Sequence, residues 1–243
     1  MFVKVTAELA SPLCLSDDGV PPHLDAICEF ALAGRAKSIN ESRNGHRHPI
    51  AKDIPGQPVK QQGTLPIPIR RTWCDSGRGF RVPVPHCTQG ILPPTRQTSE
   101  HFHCSFPIDR AWMLREKDQT VHSAGGGPLK SHRLPLRITQ ADRVVWFAEL
   151  RRKKGRSPMS ELRVLLRREV WSVGNKTAFG FGVVGKWIVE PAQIDSTWVI
   201  DGVLMRPIPL AVFGEASGYR RCFGAVSSPY WQRDYWCERV IPC

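Results

Sequence analysis

Nine of the chain's 21 prolines fall between Pro49 and Pro94. Proline locks φ and lacks an N–H, so this density forbids a long helix or a central strand there. Residues 38–134, rich also in Gly, Ser, Arg and His, therefore read as an irregular insertion closed by Gly125–Arg133. Only short strands such as Phe80–Val84 and Phe102–Ile108 fit within it. Regular structure is left to 1–37, 135–190 and a C-terminal extension, 191–243. A chain of 243 residues holds one elaborated domain or two small ones, and a single domain over 1–243 is the reading taken.

Outside the insertion the patterning is clear. Residues 2–9 alternate, with Val3, Val5, Ala7 and Leu9 on one face and Phe2, Lys4, Thr6 and Glu8 on the other, which predicts a strand. In His23–Ala33 the residues Leu24, Ile27, Cys28 and Ala31 share a stripe, predicting a helix with Gly34 near its end. Arg143–Leu150 is short, apolar and β-favouring, as a central strand would be. After the basic turn Arg151–Arg156, Ser157 can cap a helix with Pro158 at its first position. Met159, Leu162, Leu165, Leu166 and Val170 form its apolar stripe, and Gly174 offers a stop. A glycine-rich turn and a strand through Lys186–Glu190 follow. With one strand from the insertion, the order is βαββαβ, so the expected class is α+β with a ferredoxin-like, RNA-recognition-like core.

Lys plus Arg exceed Asp plus Glu by 12, which favours a polyanionic partner, nucleic acid first. The excess is concentrated: residues 151–186 carry ten basic side chains against Glu161 and Glu169, a net +8. Arg163 and Arg167 are spaced i,i+4 and are placed on the solvent face of the second helix, where they serve either phosphate or plain solvation. Gly180-Phe-Gly-Val-Val-Gly185 matches the GxGxxG spacing. A dinucleotide fold needs that loop after its first strand, whereas here it follows a helix late in the chain, so a nicotinamide site is set aside. Glycines in this place let backbone N–H groups approach a phosphate chain. Phe179 and Phe181 either stack on a base or anchor the loop in the core.

Other chemistry is poorly served. No stretch approaches the roughly 18 consecutive apolar residues of a membrane helix. The N-terminus lacks a signal peptide's apolar run, so a cytoplasmic protein is expected. The eight cysteines include no CxxC pair, and His101-Phe-His-Cys104 with His86 and Cys87 lacks a second paired half, so no metal is expected. No cofactor motif, serine-hydrolase or kinase signature is present. Acid–base candidates are His23, His132 beside Lys130, and Tyr219 beside Arg220. The tail Tyr230–Trp236 interleaves aromatics with Arg233, suiting stacked bases or a partner subunit.

A glycine-rich loop just after the helix of a last βαβ portion resembles the RAMP superfamily of CRISPR proteins. Pro22–Ala26, Gly127–Ser131, Val145–Ala148, Val173–Val184 and Met205–Pro209 more narrowly resemble the Cas-five-like RAMP subunit of type IV CRISPR effector complexes. The likeness is diffuse over most of the chain and sharp around the glycine loop. It implies a non-catalytic subunit that caps the 5′ handle of the guide RNA (crRNA) and touches the DNA duplex beside the protospacer-adjacent motif. Implied partners are a Cas-seven-like backbone subunit, a large-subunit-like CRISPR protein, target DNA and a DinG-family helicase. On that reading Gly180, Phe181, Gly182 and Gly185 shape the RNA-binding loop. Lys130, Arg133, Lys176 and Lys186 neutralise phosphates, with Arg163 and Arg167 nearby. The alternative within the superfamily is a metal-independent repeat endoribonuclease.

Overall fold

The N-terminal alternation produces the central strand of the main sheet, β1 (Phe2–Leu9). The computed structural model describes residues 1–15, 19–44, 65–76, 79, 81–94, 96–104, 132–152, 155, 157–214, 218–228 and 236–242, with backbone alone for 36–44, 96–97, 99–104 and 132–135. On either side of β1, and antiparallel to it, lie β7 (Arg143–Glu149) and β8 (Val184–Pro191). Val5 stands opposite both Trp146 and Val189, and Ala7 opposite Val144 and Trp187. The period of two thus stacks one buried apolar face across three strands, with the indoles of Trp146 and Trp187 5.8 Å apart.

Two helices cover that face. The first, α1 (Leu24–Asn44), buries Leu24, Ile27, Cys28 and Ala31 as its stripe requires. It does not stop at Gly34. That glycine takes ordinary helical dihedrals with open space around its Cα, so it costs about 1 kcal/mol and is carried through. The second, α2 (Pro158–Glu169), has its proline in the first turn and buries Leu162, Leu165 and Leu166. Ser157 occupies the cap position, but its hydroxyl makes no capping bond, and the helix ends at Val170 rather than at Gly174.

The proline-rich stretch is less peripheral than its composition implies. It supplies the hairpin β3 (Arg71–Asp75) and β4 (Arg81–Pro85), and β5 (Arg96–Cys104), which lies on β6 (His132–Gln140). The second predicted strand is therefore displaced toward the N-terminus, and 105–108 lie outside the described residues. Ile67, Ile69 and Cys87 from this stretch enter the main core. Prolines are accommodated because the chain meets the outer edge of β7 in isolated antiparallel bridges, Ile69 to Leu150, Cys87 to Ala148 and Ile91 to Val145, not in a continuous ladder. A short strand after β1, β2 (Leu13–Leu15), adds to the far edge of β6. Beyond β8 come the hairpin β9 (Val199–Ile200) and β10 (Val203–Leu204), then a small sheet with β13 (Trp236–Ile241) between β11 (Ile208–Pro209) and β12 (Arg220–Ala225). The fold is mixed α+β with antiparallel sheets, and no described helix is long and apolar enough to cross a membrane.

One buried ion pair ties the C-terminal part to the core. Asp25 and Arg206 are both wholly buried, 3.3 Å apart. The guanidinium also donates to the carbonyls of Cys87 (3.1 Å) and Val226 (2.7 Å). Asp25 accepts in addition from the Cys87 thiol (3.4 Å) and the Ser228 N–H (3.4 Å). Burial opposes the charge on Asp25, but Arg206, His23 and these donors together outweigh it and hold the carboxyl below its usual range. Four separate segments therefore converge on one satisfied charge.

Candidate nucleic-acid interface

The glycine loop is pinned at its base by backbone hydrogen bonds. Residues 171–173 run antiparallel to 182–184: Val173 N–H donates to the Gly182 carbonyl and Val184 N–H to the Trp171 carbonyl, each at 2.8 Å. The base is fastened to 10–14 as well, through Gly182 N–H to the Pro12 carbonyl, Asn175 N–H to the Cys14 carbonyl and Val183 N–H to the Ser11 hydroxyl. Between these ladders the chain turns through left-handed dihedrals at Gly174, Lys176, Gly180 and Gly182. A single 3₁₀ turn, Thr177–Phe179, forms the tip.

The glycines divide by role. A Cβ on Gly182 would lie 1.9 Å from the Val173 carbonyl oxygen, so this residue is glycine because two backbones touch there. Its N–H is already bonded within the protein and does not face a ligand. Gly180, at φ 84°, is exposed with nothing within 4 Å of a Cβ, and its N–H closes the turn onto Thr177. Gly185, exposed at the start of β8, would meet Ala10 only at ordinary contact distance. The two phenylalanines divide as well. Phe181 packs on Cys14, Leu136 and Ile138 and anchors the loop, while Phe179 is 57% exposed at the tip.

The cations fall into three groups. Lys176 sits in the loop, half-buried, where its charge acts on the Cys14 thiol. Lys186 projects from β8, 62% exposed, 4.0 Å from Glu8. Arg167 and Arg168 are exposed in the last turn of α2, where the chain enters the loop. Arg163 departs from its expected place on the solvent face: it is half-buried and donates to the Val189 carbonyl at 2.8 Å, bracing α2 against β8. Arg167 is one turn further on, about 6 Å nearer the loop. Arg133 lies in β6 opposite His103, with its backbone alone described, and Lys130 and the aromatic tail 230–235 lie outside the described residues.

The open face of the main sheet is a poor platform for a polyanion. Lys4 pairs with Glu190 at 3.1 Å and Lys186 with Glu8, and Glu149 lies on the same face. Opposite charges cancel there, whereas the end formed by α2 and the loop keeps its positive excess.

The acid–base candidates lie on separate elements, His23 at the start of the first helix as expected. His23 is half-buried beside Asp25, and the Tyr219 hydroxyl donates to the Gly202 carbonyl at 3.3 Å. The backbone of His132 belongs to β6. Among the described side chains, His86 is a well-connected histidine, held between Glu149 (Nδ1, 3.2 Å) and the Thr72 hydroxyl (Nε2, 2.7 Å) and stacked on Trp198 at 4.4 Å. Sequence spacing gives no hint of these partners, which come from three separate segments. Burial pushes the imidazole down to about 4 despite the opposing pull of Glu149. At neutral pH it therefore donates to Glu149 and accepts from Thr72.

From that shift follows an acid sensitivity. The unfolded chain takes up a proton on His86 below pH 6.5 while the folded one resists until about 4. Stability from this group is full above 6.5 and lost as pH falls through that window, by at most about 3 kcal/mol. Burial raises Glu29, ion-paired to Arg71, from 4.5 to about 7, and that group acts in the opposite sense. The measurement is thus the difference between wild type and His86→Gln in urea unfolding: it should shrink steadily from pH 7 to 5. A constant difference would mean that folding does not shift the His86 pKa.

Comparison with models of protein families and with curated proteins gives no match for this chain.

Proposed function

We propose that this chain is a non-catalytic crRNA-binding subunit of a type IV CRISPR surveillance complex, working in the cytoplasm. It would cap the guide 5′ handle beside a Cas-seven-like backbone subunit, near the duplex of the target DNA. The observation that carries this reading is the glycine loop. It hangs between α2 and β8 on a doubly pinned base, presents an exposed tip and lies in a segment that carries Lys176, Arg167 and Arg168. A loop pinned at its base loses little entropy on binding, and cations along its segment suit a phosphate chain.

The fold is compatible with that family. In a ferredoxin-like βαββαβ core the first strand lies between the two strands that flank the second helix, and all neighbours are antiparallel. The order β7-β1-β8 has this arrangement. The bridged segment 86–91 occupies the edge of β7 where the remaining strand would lie. The ferredoxin-like reading rests on this correspondence of three strands and one irregular edge.

The ribonuclease alternative separates from the binding reading in one experiment. Labelled repeat RNA incubated with the protein in EDTA should shift on a native gel and stay uncut on a denaturing one. Cleavage that disappears in His23→Ala or His132→Ala would replace capping by processing.

A further inference from the structure

Trp171 is 75% exposed, the most exposed tryptophan among the described residues. Three other tryptophans use their indole N–H in the fold: Trp146 donates to the Pro22 carbonyl, Trp187 to that of Val170 and Trp198 to that of Pro85. A large ring left in water forgoes the burial that normally retains tryptophan in a fold. Trp171 is not on a loose segment either. Its carbonyl accepts from Val184 N–H at 2.8 Å and the next residue bridges to Val183, so the root of the side chain is fixed at the base of the glycine loop.

Its neighbours indicate what would cover it. Arg167 and Arg168, four and three residues earlier, are both exposed in the last turn of α2. The surrounding stretch 151–186 has a net charge of +8. An exposed apolar ring just beyond a helix turn that carries two exposed arginines fits a ligand that alternates flat π-faces with negative charges, which describes a single-stranded nucleic acid. Val164, Phe179 and Val183 of the same segment are exposed as well, and it is the net positive charge of 151–186 that favours a nucleic acid over an apolar protein surface.

We propose that Trp171 is a stacking platform for an unpaired base, with Arg167 and Arg168 holding the phosphates on either side of it. This deepens the RNA-binding reading and rests on it for the identity of the natural strand, though stacking itself can be tested with a generic one. The probes are an oligouridylate of about ten nucleotides, within the span of single-strand sites, and an abasic oligomer of equal length. Trp171→Ala should weaken the oligouridylate about tenfold, Trp171→Phe much less, and neither should change the abasic oligomer. The dependence on salt should be the same in wild type and Trp171→Ala, since it counts phosphates and not bases. Arg167→Ala with Arg168→Ala should weaken both oligomers and flatten that dependence. Melting temperatures of all variants should match wild type, because the ring and both guanidinium groups are exposed.

Equal oligouridylate affinity in wild type and Trp171→Ala would overturn the stacking role and leave handle capping standing. Loss of the stacking effect together with loss of a protein partner from the Trp171→Ala complex would assign the ring to that partner. Tight, Trp171-dependent oligouridylate binding with no preference for a guide handle would uphold the platform and remove the CRISPR assignment. No binding of either oligomer by wild type would overturn both.

Discussion

Arg206→Met is expected to destabilise the protein by about 3–5 kcal/mol, because it strands a buried carboxylate. With the guanidinium gone, Asp25 loses its closest cationic partner, and the Cys87 thiol and Ser228 N–H, both at 3.4 Å, do not replace that charge. The carbonyls of Cys87 and Val226 lose their donor as well. A loss of that size is a third or more of the stability of an ordinary domain and lowers Tm by roughly 10 °C. Proteolysis should begin in 205–228, since Arg206 and Ser228 are the C-terminal contacts of the network. Asp25→Asn added to Arg206→Met should recover a substantial part of the loss by removing the unpaired charge. A single variant within 1 kcal/mol of wild type in denaturant unfolding would refute the latch.

Gly182→Ala is the second large effect. The new methyl would fall 1.9 Å from the Val173 carbonyl oxygen, and Val173 cannot retreat while its N–H is bonded to Gly182 itself. The residue also sits at φ 63°, which any side chain resists. Steric overlap and the left-handed dihedral together should cost about 3 kcal/mol or more. Gly180→Ala has only the dihedral to meet, about 1 kcal/mol, since nothing lies within 4 Å. Thermal unfolding of the two side by side checks the ranking. Equal melting temperatures would show that the Gly182 backbone is not in contact with Val173. Loss of RNA binding in Gly182→Ala therefore reports on folding, and Gly180 is the glycine at which an approaching phosphate can be sensed.

Local periodicity made β1, β7 and α2 readable, because each has a continuous apolar face to bury, and the glycine loop was readable from its glycines alone. Where the signal depends on distant segments, reading fails. Asp25 and Arg206 are 181 residues apart and look like two ordinary surface charges. Arg163 is in register for solvent on a helical wheel, but the Val189 carbonyl within reach turns it inward. Gly34 has the composition of a stop and none of its geometry. Phe179 and Phe181 were indistinguishable by spacing, and only the packing of β2 and β6 separates the anchor from the exposed ring. Trp171 did carry a signal, an aromatic three and four residues beyond two arginines on the polar side of a helix. Its exposure is what distinguishes it from the core tryptophans.

Handle capping is tested most directly by affinity for two guide RNAs of equal length, one with its natural 5′ handle and one with the handle replaced by unrelated sequence. The account predicts at least about tenfold tighter binding of the natural guide, the worth of one charge-assisted hydrogen bond. Gly180→Ala should erase most of that preference while remaining folded. Equal affinity for both guides, with the protein folded and the RNA intact, would contradict it.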